Sequence, residues 1–84
     1  MGGERLTKKG RLVQTEEGQL ILLNDEGKAY LVSEVIAYIW NAFEDRTVEE
    51  VTQQLSTVVN EELEELRGPV EQVASQLKAA GLLA

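Results

Sequence analysis

The chain has 84 residues, 43% of them hydrophobic, with 15 acidic against 8 basic side chains for a net charge of −7. That is enough for one small domain burying about 60–65% of its unfolded surface. The absence of cysteine excludes disulfide staples and thiolate zinc sites. The acidity disfavours a nucleic-acid partner unless basic residues gather locally.

In chain order, residues 1–9 read as a flexible N-terminal arm, and residues 10–84 read as the folded domain. The basic residues Arg5, Lys8, Lys9 and Arg11 cluster at this end, either as a solvated, mobile arm or as a device that steers an acidic peptide. Met1-Gly2-Gly3-Glu4 does not open a signal peptide, and the longest apolar run falls far short of the ~18 residues of a membrane span. A cytoplasmic location without membrane contact is the expectation.

Three short strands follow: Arg11-Leu12-Val13-Gln14, Gln19-Leu20-Ile21-Leu22-Leu23 and Lys28-Ala29-Tyr30-Leu31-Val32. Thr15-Glu16-Glu17-Gly18 and Asn24-Asp25-Glu26-Gly27 join them. Each joint ends in a glycine suited to the left-handed position of a three- to five-residue hairpin loop. The pattern predicts an antiparallel meander with the third strand at an edge, since the chain supplies no fourth.

The remainder is helical. Ser33 can cap a first helix from Glu34 to about Glu44, in which Val35, Ile36, Ile39 and Trp40 recur at helical spacing. Trp40 and Phe43 are predicted in the core and Tyr38 at the surface. Tyr30 and Val32 alternate on their strand toward the helices. Thr47-Val48-Glu49-Glu50 is a capping box that opens a second helix reaching about Val58. Asn60 is predicted to cap a third helix with the stripe Leu63, Leu66, Val70, Val73 and Leu77. Within it, Pro69 lacks the amide that would bond back to Glu65, which predicts a kink or two abutting helices. Gly81 ends the helix, and Leu82-Leu83 are expected to fold back. Strands first and helices afterwards give an α+β class: a three-stranded antiparallel sheet followed by three helices (βββααα), like a winged helix-turn-helix.

Little here suggests catalysis. Without histidine, no serine has its usual base, and no glycine-rich phosphate loop is present. The acidic groups Glu49-Glu50 and Glu61-Glu62-Glu64-Glu65 sit in first helical turns, where the helix dipole favours them. The expectation is no enzyme, no catalytic residue, no metal site and no cofactor.

The stretch Gly27-Lys28-Ala29-Tyr30-Leu31-Val32-Ser33-Glu34-Val35-Ile36-Ala37-Tyr38-Ile39-Trp40 resembles the strand-into-helix signature of the PqqD-like family. Val32-Ser33 stands where that family usually has Leu-Asn. Thr47-Val48-Glu49-Glu50-Val51 resembles the family's Thr-Val-Glu-Glu-Ile, and Gln76-Leu77-Lys78-Ala79-Ala80-Gly81-Leu82-Leu83 its Glu-Leu-Leu-Glu-Ala-Gly-Leu-Val ending. The likeness covers roughly Leu12 to Leu83.

The resemblance implies a RiPP recognition element, a non-catalytic domain that binds the leader of a ribosomally synthesised precursor peptide. The leader would add as an antiparallel strand beside the third strand, against the third helix, for delivery to a modifying enzyme. The Gly-Lys turn and the Ile-Trp pair look most like the stand-alone partner of lasso-peptide leader peptidases, which are cysteine proteases. The implied peptide-binding residues are Lys28, Ala29, Tyr30, Leu31 and Val32 with Leu66, Arg67, Val70, Val73 and Ala74. Arg67 is available there to an acidic leader residue, or else is a solvated helix charge. A PqqD-type peptide chaperone for a radical SAM enzyme is the alternative. A DNA-binding winged helix is disfavoured by the acidic third helix, and a module that pairs edge strands with itself also remains open.

Overall fold

The computed structural model describes residues 3–84. Its order is β1 (Arg11–Gln14), β2 (Leu20–Leu23), β3 (Ala29–Val32), α1 (Glu34–Ala42), α2 (Val48–Val59) and α3 (Leu63–Ala79). The class is α+β, an antiparallel sheet in the order β1-β2-β3 followed by three helices. Both hairpins close as expected. Gly18 and Gly27 take φ of +88° and +85°, and each amide donates to the residue that opens its loop, Thr15 and Asn24.

The core lies between the sheet and the helices. Leu22 from the central strand, Ile39, Trp40 and Phe43 from the α1 region, Val51 and Leu55 from α2, and Val70, Ala74 and Leu77 from α3 are buried together. Tyr30 and Val32 pack against that cluster from β3, and Tyr38 is exposed. The Ser33 hydroxyl accepts from the Ile36 amide, and both halves of the Thr47–Glu50 capping box are made.

Two details of the helices differ from the sequence expectation. Asn60 does not cap α3. It takes a left-handed conformation (φ 56°, ψ 46°) at the C-terminus of α2, a region that asparagine tolerates better than most residues. Of the two outcomes expected at Pro69, a pair of abutting helices does not form: the third helix is continuous from Leu63 through Ala79 with Pro69 inside. Proline disfavours a helical neighbour through a clash with that neighbour's Cβ, and the neighbour here is Gly68, which has none.

The N-terminal arm also differs. Of the expected span 1–9, residues 1–2 lie outside the described residues. Leu6 is only 4% exposed and belongs to the core cluster. The Leu6 and Arg46 backbones exchange hydrogen bonds, as do those of Thr7 and Ala84, and the Lys8 and Lys9 amides donate to the Phe43 and Leu82 carbonyls. The arm and the Leu82–Ala84 tail thus close over α1 as a pair of short extended segments. The Trp40 indole N–H donates to both carbonyls that flank it, Leu82 at 3.0 Å and Lys9 at 3.1 Å. Among the described residues, no helix is long and apolar enough to cross a membrane.

Candidate functional site: the outer edge of the third strand

The hydrogen-bond pattern of the sheet fixes what its edge offers. In an antiparallel pair, directly opposed residues alternate between bonded and non-bonded. The Asn24 amide donates to the Lys28 carbonyl at 3.0 Å. Counting along the register from that pair, Leu22–Tyr30 and Leu20–Val32 are bonded pairs, while Leu23–Ala29 and Ile21–Leu31 are not. The β1 side agrees. There the Thr15 amide donates to Gln19, which makes Val13–Ile21 and Arg11–Leu23 the bonded pairs, so β2 alternates its partners as a central strand must. The amide and carbonyl of Ala29 and of Leu31 therefore point away from the sheet. Among the described residues nothing bonds to them, and the arm and tail pair elsewhere.

Side chains alternate in the same way. Tyr30 and Val32 face the helices, while Ala29 and Leu31 face outward, Leu31 being 68% exposed. Beside β3 lies an open groove of about 280 Å³ lined by Tyr30, Leu31 and Val32, by Ile36 of α1, by Val73, Gln76, Leu77 and Ala80 of the α3 region, and by Leu82 of the tail. Apart from Gln76, and from Leu31 whose side chain faces outward, these residues bring apolar or aromatic side chains. A strand edge beside an apolar groove can take an extended peptide, bonding its main chain and holding alternate side chains.

Asn24 holds the two walls together. Its amide nitrogen donates to the Ala80 carbonyl at 2.8 Å, and its Oδ1 accepts from the Glu26 and Lys28 amides, both at 2.9 Å. The residue is buried. One side chain thus orders the β2–β3 turn and pins it to the C-terminus of α3.

The residues expected to bind peptide are not all placed together. Ala29 to Val32 form the edge, and Val73 lies across the groove from it. Lys28 precedes the strand, with its amide and its carbonyl both bonded to Asn24. Val70 and Ala74 are buried in the core, and Leu66 packs on it half-buried. Arg67 turns toward α2, where its guanidinium makes a two-pronged contact with Glu49 at 3.0 and 2.9 Å. That hydrogen-bonded pairing lowers the Glu49 pKa from its ordinary value and raises that of Arg67. Gln76, Leu77, Ala80, Leu82 and Ile36 were not singled out as groove residues. Ile36 and Leu77 carried the same apolar periodicity that marks a core, Gln76, Ala80 and Leu82 fall outside the stripe of α3, and only the lie of α3 against β3 shows which residues face the groove.

β1 is also an edge, and by the same count its outward groups are those of Leu12 and Gln14. The other open hollows lie at the foot of α2 around Arg5, Glu49 and Arg67, beside Gly10 and Asn24, and near Tyr38 and Gln54. None of them lines a strand edge with an apolar wall. Among the described residues, no cluster of acidic side chains is arranged to hold a metal ion.

None of the curated proteins and none of the solved structures compared with this chain matches it. Residues 19–83, which hold β2, β3, all three helices and every groove residue named above, match the family described as Coenzyme PQQ synthesis protein D (PqqD), and the chain belongs to that family.

Proposed function

We propose that this protein is a non-catalytic RiPP recognition element. It takes the leader of a ribosomally synthesised precursor peptide as a further antiparallel strand on β3 and delivers it to a modifying enzyme. The observation that carries this reading is the pair of outward-facing residues, Ala29 and Leu31, to which no other described residue bonds at the sheet edge beside an apolar groove. Main-chain bonds there give affinity without regard to sequence, and the groove supplies selectivity. Ordering a flexible leader costs about 2–5 kcal/mol, and each buried apolar anchor returns about 1.5–3 kcal/mol. Micromolar affinity, about −8 kcal/mol, therefore needs at least two or three such anchors in addition to the strand bonds.

Within that reading, the Gly27-Lys28 turn and Ile39-Trp40 favour a lasso-peptide system, with a leader peptidase of the cysteine-protease class as the receiving enzyme. The family description favours a second arrangement, a peptide chaperone for a radical SAM enzyme of the kind that serves pyrroloquinoline-quinone synthesis. Co-purification with whichever enzyme is encoded beside this gene separates the two.

The binding mode is tested with a labelled peptide copied from the leader of the precursor encoded nearby. Leu31→Pro removes one outward amide, and Leu12→Pro does the same on the opposite edge. Fluorescence anisotropy should show micromolar binding to the native chain, little change for Leu12→Pro, and a loss of about a hundredfold or more for Leu31→Pro, with both variants folded by circular dichroism. Native affinity in a folded Leu31→Pro variant overturns strand addition at β3.

A further inference from the structure

The opposite edge of the sheet, β1, differs in chemistry from β3. Its outward main-chain groups are those of Leu12 and Gln14, and among the described residues nothing bonds to them. Leu12 shares the helix-facing side of the sheet with Leu22, yet it is 41% exposed. Val13 lies on the other side, in a row with Ile21 and Leu31.

The charges along this segment are ordered. Lys9 and Arg11 stand before the apolar pair Leu12-Val13, and Glu16 and Glu17 follow it. All four are exposed, and none of them forms an ion pair among the described residues. A strand that is basic at its start and acidic at its end is self-complementary when two copies run antiparallel, because each end then meets its opposite.

We infer that β1 pairs with β1 of a second copy of this chain, antiparallel about a two-fold axis, so that the two three-stranded sheets become one. Bonding parity sets the register. Bonded pairs form only where outward groups meet outward groups, so Leu12 and Gln14 must face Leu12 or Gln14 of the partner subunit. Full overlap, with Arg11 against the partner's Gln14, sets outward groups against inward ones and makes no bond. Only the register centred on Val13 forms two bonded pairs inside the strands: Leu12 with the partner's Gln14, and Gln14 with the partner's Leu12. Val13 then meets the partner's Val13 on the axis as a non-bonded pair, with Cα atoms about 4.5 Å apart. The apolar row of Leu31, Ile21 and Val13 runs across the axis into its copy. Lys9 and Arg11 come beside Glu16 and Glu17 of the partner subunit. Both β3 edges lie at the far ends of the joined sheet, so this pairing does not rest on the peptide reading above and leaves that site free. Strands this short bury less than the roughly 1,200 Å² of stable complexes, so the dimer is weak and depends on concentration.

Sedimentation velocity of the full chain from about 1 µM to about 1 mM tests the pairing. Salt is held at about 0.15 M, where the repulsion between two chains of net charge −7 is screened beyond about 8 Å. The native chain should pass from monomer to dimer across that range, as should Leu31→Pro, while folded Leu12→Pro stays monomeric. Lys9→Glu with Arg11→Glu makes both ends of the segment acidic, and Glu16→Lys with Glu17→Lys makes both basic. Each double variant alone should dimerise about tenfold or more weakly, and an equal mixture of the two should regain the native dimer. The chain has no cysteine, so Val13→Cys reports on the axis, where Cα atoms about 4.5 Å apart lie within disulfide reach. Oxidation should link Val13→Cys into dimers and leave Leu31→Cys, exposed but remote from the axis, largely unlinked. Overturning results are a native chain monomeric throughout, a dimer that survives Leu12→Pro or is lost in Leu31→Pro, or charge variants that dimerise like the native chain or are not rescued by mixing. Failure of Val13→Cys to link, or equal linkage of Leu31→Cys, overturns the register.

Discussion

The Asn24 side chain uses both ends of its amide, donating to α3 and accepting from the turn before β3, all within a buried site. Removing such a group strands buried partners, at about 1–3 kcal/mol. Asn24→Ala should therefore lower the urea midpoint by that order. It should also weaken leader binding beyond the stability loss, because the tie sets the spacing of β3 from α3. An unchanged midpoint would show that water replaces the side chain without cost. Gly10 carries a different constraint. It sits at φ +79°, and a Cβ built there would lie 1.9 Å from the Leu23 carbonyl oxygen. Only glycine lets the arm turn into β1 so close to β2. Trp40 spends its single donor on two carbonyls, one on each flanking segment, and Lys8 Nζ sits 5.4 Å from its ring centroid.

Among the elements, β3 and α3 decide the function proposed here, and each tolerates an apparent fault. Among the described residues, the outward main-chain groups of β3 have no partner, a liability in most sheets that suits the peptide site proposed above. α3 carries a proline where a helical amide belongs. Pro69 is exposed and lines no part of the groove, so Pro69→Ala should raise stability by about 1–3 kcal/mol and leave leader affinity unchanged. A fall in stability would mean that Gly68-Pro69 fits a local bend that alanine cannot. The Glu49–Arg67 pair fastens α3 to α2. Because folding lowers the Glu49 pKa, chiefly through its hydrogen bond to Arg67, the contribution is fully present above the ordinary carboxylate value of 4.5 and is lost as pH falls through the lowered one. Glu49→Gln should flatten that part of the acid limb in a plot of Tm against pH, slightly, since the pair is exposed to solvent. An acid limb identical to that of the native chain would show that the pair contributes nothing to folding.

At the scale of the molecule, Leu6 to Lys9 and the Leu82–Ala84 tail brace the fold, and their backbone bonds go to segments other than β3. Leu6 is buried, and Thr7 and Ala84 exchange backbone bonds. Leu6→Ala should cost about 2–4 kcal/mol by thermal unfolding, whereas a freely moving arm would give almost no change. The charge distribution bears on partners at the same scale. Glu61, Glu62, Glu64 and Glu65 are exposed at the start of α3 and Glu71 midway along it, and Arg67 is already paired. That surface repels a phosphate backbone, so no shift of duplex DNA is expected in a low-salt mobility assay. Membership of the PqqD family points instead to peptide recognition.

The order of elements, both hairpin loops, the Ser33 and Thr47 caps and the buried places of Trp40 and Phe43 were all legible in the chain, because each depends on spacing over a few residues. So was the edge position of β3, which follows from the count of strands. The groove wall was not. Periodicity separates an apolar face from a polar one but does not tell a face that meets the core from one that borders an open cleft. Val70 and Val73 look alike in sequence, yet one is buried and the other lines the groove. The arm read as loose because its residues are basic and aperiodic, and it is held by backbone bonds to segments about forty and seventy-five residues away, which no local pattern encodes. Sequence alone determined which strands and helices form and that β3 lies at an edge of the sheet. Tertiary structure alone decided what stands across from that edge, because it depends on the long-range tie from Asn24 to Ala80.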